Sequence, residues 1–223
     1  KKKIAKKIFI YEKSKSNIAK IKSLRLSGTI VKSLKDGLVN SNLVIVCTST
    51  SEYKKLIIKI NKTISPKTLI TDVGSSKIES SKIIKRFLKK RISWVSSHPI
   101  AGSEVSGPEH GRFNMFVDRW CILIKEKNTK NKHLNILNKF WKKIGSKTVV
   151  MSPKKHDKIF SMTSHLPHLV AYNLVKSAQE FEKKQNYNLI KYSAGGLRDF
   201  SRIAASNEIM WRDIFFDNKN NIT

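Results

Sequence analysis

LVIVCT (43–48) and TLITDV (68–73) are short runs rich in β-branched residues, and each leads into apolar residues at helical spacing. Tyr53, Leu56, Ile57 and Ile60 follow the first run; Ile78, Ile83, Ile84, Phe87 and Leu88 follow the second. A strand that alternates apolar with polar residues has one wet face, whereas a continuous apolar run is covered on both. These two runs therefore predict buried strands of a parallel sheet, with helices on each side. Upstream, KIFIYE (7–12) predicts a strand and residues 14–24 a helix. Downstream, SWVSSH (93–98), WCILIK (120–125) and TVVMS (148–152) predict three more strands. Between the last two, Leu134, Leu137, Phe140, Trp141 and Ile144 mark a helix that Gly145 closes.

Past Pro153 no further strand is expected. Ser164 can cap a helix with Pro167 in its first turn, running through Val170, Leu174 and Val175. A second helical region covers 189–205 and a third begins after Ser206. The expected architecture is an α/β, Rossmann-like parallel sheet over 1–152, followed by an all-helical domain over 153–223. In such sheets ligands bind beyond the carboxyl ends of the strands. A dinucleotide-binding sheet usually opens with a strand and a GxGxxG turn, which this sequence lacks. Its first strand instead ends in Glu12, where such folds carry an acid at the end of their second strand. The sheet is therefore expected to be N-terminally truncated, without its first βα unit and the helix N-terminus that would cradle a pyrophosphate. A carboxylate at Glu12 would accept from ribose hydroxyls and repel a 2′-phosphate, favouring NAD over NADP.

The formal charge is +29, carried by 37 lysines and 8 arginines spread along 223 residues. Arginine forks interleaved with aromatics, which read or stack on bases, are not clustered, so no nucleic-acid partner is expected. No run approaches the length of a membrane span, and the apolar stretch near the basic N-terminus is too short for a signal peptide. Cys47 and Cys121, far apart in strand-like contexts, are read as small buried hydrophobes of a reducing compartment, and the expected location is the cytoplasm.

Three clusters can carry chemistry. DVGSSK (72–77) joins a strand end to a helix start, where Gly74 and the hydroxyls of Ser75 and Ser76 can bring backbone N–H groups to a ligand. SHPIAGSEVSGP (97–108) places His98 at a strand end before a Gly- and Ser-rich loop, a position suited to an acid or base that titrates near neutrality. HD (156–157) and SHLPH (164–168) bring further imidazoles. No HExxH pattern or cysteine pair assists them, so no metal is expected; one of His165 and His168 would face the cleft and the other pack against it or orient it. Beyond them Arg198 and Arg202 lie four residues apart, able to grip a carboxylate, and Trp211 opens another helix.

In this order DVGSSK, SHPIAGSEVSGPEHG, MSPKKHDKIFSMTSHLPH, GGLRDFSRIA and IMWRDIF resemble the prephenate/arogenate (cyclohexadienyl) dehydrogenase family, from Glu12 to about Asp217. The resemblance implies an NAD-binding domain joined to a helical domain that forms a homodimer, with the active site between them. It implies NAD as cofactor and prephenate or arogenate as substrate, on the route to tyrosine. Carried over by position, His98 is the catalytic histidine and Ser75 positions it and the substrate's ring hydroxyl. Arg202 holds a substrate carboxylate across the cleft from His98, His168 lines the pocket, and Glu104, Gly195, Asp199 and Trp211 lie near it. Glu12, Cys47, Thr48, Asp72 and Gly74 would border the cofactor. A dehydrogenase of short β-hydroxy acids and a basic nucleic-acid-binding protein are the competing readings.

Overall fold

The computed structural model describes residues 4–39, 41–102, 105–186 and 188–223. Its strands are β1 (Phe9–Ile10), β2 (Thr29–Ile30), β3 (Leu43–Val46), β4 (Leu69–Asp72), β5 (Ser93–Trp94), β6 (Ser97–Pro99), β7 (Trp120–Ile124) and β8 (Lys147–Met151). Among them run α1 (Lys15–Ser23), α2 (Leu34–Val39), α3 (Tyr53–Thr63), α4 (Ile78–Phe87) and α5 (Asn131–Ile144). After β8 only helices follow among the described residues: α6 (Pro153–Phe160), α7 (Leu166–Gln185), α8 (Gly195–Ala204), α9 (Glu208–Asp217) and α10 (Lys219–Ile222). The α/β-then-helical architecture is the one expected.

Sheet pairing follows the connections. β1 and β2 pair in parallel, as do β3 with β4, β4 with β5, and β7 with β8. β6 and β7 are antiparallel, which departs from the all-parallel expectation. The reason lies in the link between them: no α-helix separates residue 99 from 120 among the described residues, and without a crossover helix a returning strand runs antiparallel. SWVSSH is likewise not one strand. Val95 still donates to Ile70 O, but Ser96 O accepts from Ile124 N, so the chain leaves β4 for β7 in mid-run. β3 is also less buried than expected, with Ile45 39% exposed, because β4 is its one hydrogen-bonded neighbour among the described strands.

Apolar residues pack on both sheet faces. Val46, Ile70, Tyr53, Ile57, Ile60 and Ile84 gather β3 and β4 under α3 and α4. Leu69, Val95, Cys121 and Leu123 meet Leu134, Leu137 and Trp141 of α5 on the other side. Neighbours Leu69 and Ile70 fall in different clusters because strand side chains alternate faces. Gly145 ends α5 with φ +115°, the left-handed closure that glycine adopts without strain.

The helical part starts at Pro153 as expected, but its first helix begins well before the cap expected at Ser164. Ser152 caps α6 through Lys155 N, with Pro153 in the first turn. Ser164, expected as a cap, lies inside a continuous run, where a π-helical turn over Ser161–His165 joins α6 to α7. Such turns carry one surplus residue and commonly mark functional positions. Among the described residues no helix is long and apolar enough to cross a membrane.

Candidate active site

The residues after β4 fold around a buried ion pair. Lys77 Nζ donates to Asp72 Oδ2 at 2.6 Å and to Ser97 O at 2.8 Å, and the side chains of Lys77 and Asp72 have no exposed surface. Asp72 also accepts from Tyr53 Oη at 3.1 Å, Gly74 N at 3.2 Å and Trp94 Nε1 at 3.0 Å. Burial works against this carboxylate, but Lys77 and the hydrogen bonds outweigh it and hold its carboxyl below the usual range. Burial, then Asp72, raises the Tyr53 phenol well above its ordinary value, so it remains a donor. Asp72 thus anchors the turn after β4 through Lys77, Tyr53, Gly74 and Trp94, with no exposed side-chain surface of its own. Gly74 is needed here because a Cβ would approach Tyr53 Oη to 2.9 Å.

His98 follows Ser97 on β6, opposite Ile122 of β7. Its Nδ1 lies 2.8 Å from Nε2 of His156, whose Nδ1 lies 2.7 Å from Asp157 Oδ1. The rings of His98 and Phe160 lie 4.9 Å apart. Burial, then His156, Lys77 and His165, holds the His98 imidazole well below the usual histidine range, so it is neutral near pH 7. Burial likewise lowers His156, against the pull of Asp157. The Asp157 carboxylate also accepts Lys77 N at 2.9 Å and Ile78 N at 2.8 Å. It thereby caps α4, whose own N-cap Lys77 makes no side-chain cap. One carboxylate on α6 thus ties the helical part to the helix start after Ser75.

The π turn sets His165 beside the Ser75 backbone, and burial lowers its imidazole to about 4. Asn218 Nδ2 bridges His165 Nδ1 at 2.8 Å and Asp157 O at 2.9 Å. Asp217 Oδ2 accepts Thr50 Oγ1 and Ser76 Oγ, each at 2.7 Å, so the end of α9 grips the loops after β3 and β4. Between His165 and His168, His165 is the buried one. His168 is half-buried, donates Nδ1–H to Ser164 O at 2.9 Å and stacks on Trp211 with centroids 3.6 Å apart.

The structure therefore gathers Ser75, His98 and His165 around one end of the sheet, and pairs His168 with Trp211. Gly195, Asp199 and Arg202 lie exposed on α8, which packs on α7. The described ring contacts of His98 are with His156 and Phe160, so its nearest aromatic company is α6 rather than the helix that carries Arg202. His98 and Arg202 are carried on separate elements, β6 and α8. Glu12 ends the segment after β1 and accepts from Lys13 N and Ser14 N at the start of α1. Cys47 and Thr48 are exposed just past β3. Glu104 lies outside the described residues. Among the described residues no three His, Cys, Asp or Glu side chains gather as a metal site. Sequence reasoning gives no role to Lys77, Asp217 or Asn218, and none in particular to His156 or Asp157. The HD pair and the Lys of DVGSSK are visible signals; Asp217 and Asn218 offer none, because their partners lie far away in the chain.

Residues 1–150 match the family model described as prephenate dehydrogenase, nucleotide-binding domain, and residues 152–223 match prephenate dehydrogenase, dimerization domain. Cyclohexadienyl dehydrogenase of Zymomonas mobilis is 31% identical over 211 residues, covering 95% of this chain and 72% of that protein. Prephenate dehydrogenase of Bacillus subtilis is 39% identical over 155 residues, covering 69% of this chain and 41% of that protein. The crystal structure of Aquifex aeolicus prephenate dehydrogenase with hydroxyphenyl propionate and NAD⁺ superposes with a TM-score of 0.87 at 34% identity, covering 97% of this chain and 75% of that one.

Proposed function

Because the chain belongs to the prephenate dehydrogenase family, we propose that it carries out the NAD-dependent oxidative decarboxylation of prephenate to 4-hydroxyphenylpyruvate, a step toward tyrosine. The observation that carries this reading is His98: a buried, neutral imidazole at a strand end, beside the Ser75 loop. A neutral ring can take the proton of the substrate's ring hydroxyl, and Ser75 can orient that hydroxyl. When bound, the nicotinamide would accept the hydride from the carbon bearing the hydroxyl. Loss of carbon dioxide from the resulting ketone then makes the ring aromatic, which drives the step. Arg202 would attract and orient the substrate carboxylate, with His168 and Trp211 lining the pocket.

The donor set fits a nicotinamide dinucleotide. Glu12, at the start of α1, offers a carboxylate for ribose hydroxyls, and Cys47, Thr48 and Gly74 sit at strand ends where such cofactors lie. The reading divides the chain into a cofactor domain over 1–152 and a helical domain over 153–223. Val170, Leu174 and Phe181 form an exposed apolar stripe on α7, suited to a homodimer through the helical part. Two cysteines without a disulfide suit a reducing compartment, the cytoplasm.

The test is turnover of the intact protein with prephenate and with arogenate, each with NAD⁺ and NADP⁺. His98→Asn should lower kcat by about two to four orders of magnitude with little change in KM. Turnover at the wild-type rate in that variant would sink the proposal. Faster use of arogenate would move the substrate to that amino analogue while keeping the chemistry.

A further inference from the structure

We propose that Asp157 and His156 are positioning residues that fix the tautomer of His98, so that its Nε2 carries the lone pair. The inference rests on the reading of His98 as the base, and it starts from the donors around Asp157. Backbone N–H groups of Lys77 and Ile78 already donate to its two oxygens. A carboxylate so engaged is a pure acceptor, so His156 Nδ1, 2.7 Å away, must bear a proton. In a neutral imidazole the other nitrogen then has the lone pair. His156 Nε2 therefore accepts, and His98 Nδ1, at 2.8 Å, must donate. With the proton on Nδ1, a neutral His98 has its lone pair on Nε2. The direction of every bond is set by one acid on a different element.

The arrangement also changes what happens when the base does its work. As Nε2 takes a proton, His98 becomes a cation in a buried place crowded by Lys77 and His165. Its Nδ1–H then points at a neutral nitrogen polarised by the Asp157 carboxylate, which offsets part of the cost of that charge. His156 and Asp157 have no exposed surface, so water does not substitute for either. Because Asp157 also caps α4, the same carboxylate sets the ring's tautomer and holds the helix start next to the Ser75 loop. Both halves of the proton-abstracting pair are thereby referred to one side chain.

The test compares His156→Gln with His156→Leu in the intact protein. A glutamine can donate N–H to Asp157 and accept His98 Nδ1–H through its oxygen, which preserves the direction of the relay. A leucine fills the space and does neither. The first readout is ¹⁵N NMR of the His98 ring at neutral pH, independent of turnover. Wild type and His156→Gln should show Nδ1 protonated and Nε2 bare, and His156→Leu should lose that preference. The second is turnover: His156→Gln should keep kcat within about tenfold, and His156→Leu should lose about 10- to 100-fold in kcat with KM little changed. A purely space-filling role predicts that leucine is tolerated as well as glutamine, and that result overturns the proposal. So does a wild-type His98 ring protonated on Nε2. If leucine fails to fold, the wild-type and glutamine spectra alone decide. If the tautomer is as stated but His98→Asn keeps full turnover, the base assignment falls while the relay stands.

Discussion

Two regions of this molecule treat their surfaces in opposite ways. Around Asp72, Lys77, His98, His156 and Asp157, polar groups are driven out of water and answered by one another. On α7 the chain leaves apolar groups in water: Val170, Leu174 and Phe181 are exposed, and Ala171 is the one buried residue described there. Burying an ion pair costs desolvation that hydrophobic packing would avoid, so the first region is there for placement of charge rather than for stability. The second works the other way, since exposed Val170 and Leu174 gain little until another surface covers them. The first region is complete within one chain, and the second is suited to be one side of a contact.

The sharpest way to break this contrast is Lys77→Met. It leaves Asp72 as a buried, uncompensated carboxylate and should cost about 3–5 kcal/mol, read as a lower denaturant midpoint at unchanged slope. A loss below about 1 kcal/mol would mean that Tyr53 and Trp94 alone satisfy Asp72. Next comes acid. His98, His156 and His165 are all held below the ordinary histidine value, so between the folded and unfolded values the unfolded chain binds more protons. Their stability contribution is full above about pH 6.5 and drains as the pH falls toward the folded values, about 4 for His165. Thermal melts between pH 7 and 5 should fall steadily, and a flat profile would contradict the burial of these rings. A hydroxyl cap comes third: Ser152→Ala, at the N-cap of α6, should cost about 1 kcal/mol by denaturant titration. The smallest effect belongs to the outer face. Val170→Asp should change the stability of the fold by no more than about 0.5 kcal/mol, yet weaken self-association in sedimentation. A large loss of folding stability there would show that α7 is already part of a core.

Legibility in the sequence tracks the range of the interactions. The apolar run at 43–46, Leu69 and Ile70 ahead of Thr71 and Asp72, and the spacing of Leu134, Leu137 and Trp141 are local patterns, and they form β3, β4 and α5. The split of SWVSSH is hidden because its cause is a change of partner, from Ile70 to Ile124, which periodicity does not encode. Ser164 looks like a cap because Ser before a Pro-containing turn is a sound local signal. Ser152 and Pro153 supply the same signal earlier, and the helix begins there. In the site, His98 and Ser75 are legible from strand-end motifs. Asp157 is not, because a carboxylate next to a histidine says nothing of the helix it caps 79 positions away in the chain.

The π turn at Ser161–His165 has a consequence for the whole helix beyond it. Each residue added to or removed from a helix turns its remaining length by about 100°. A π turn winds each of its residues by less than that, so it takes up one surplus residue locally and leaves His168, Trp211's stacking partner, and the apolar stripe of α7 on the faces that an unbroken helix one residue shorter would give them. A single surplus amino acid is thus absorbed where it stands, setting His165 beside the Ser75 backbone without turning the pocket wall or the outer face beyond it.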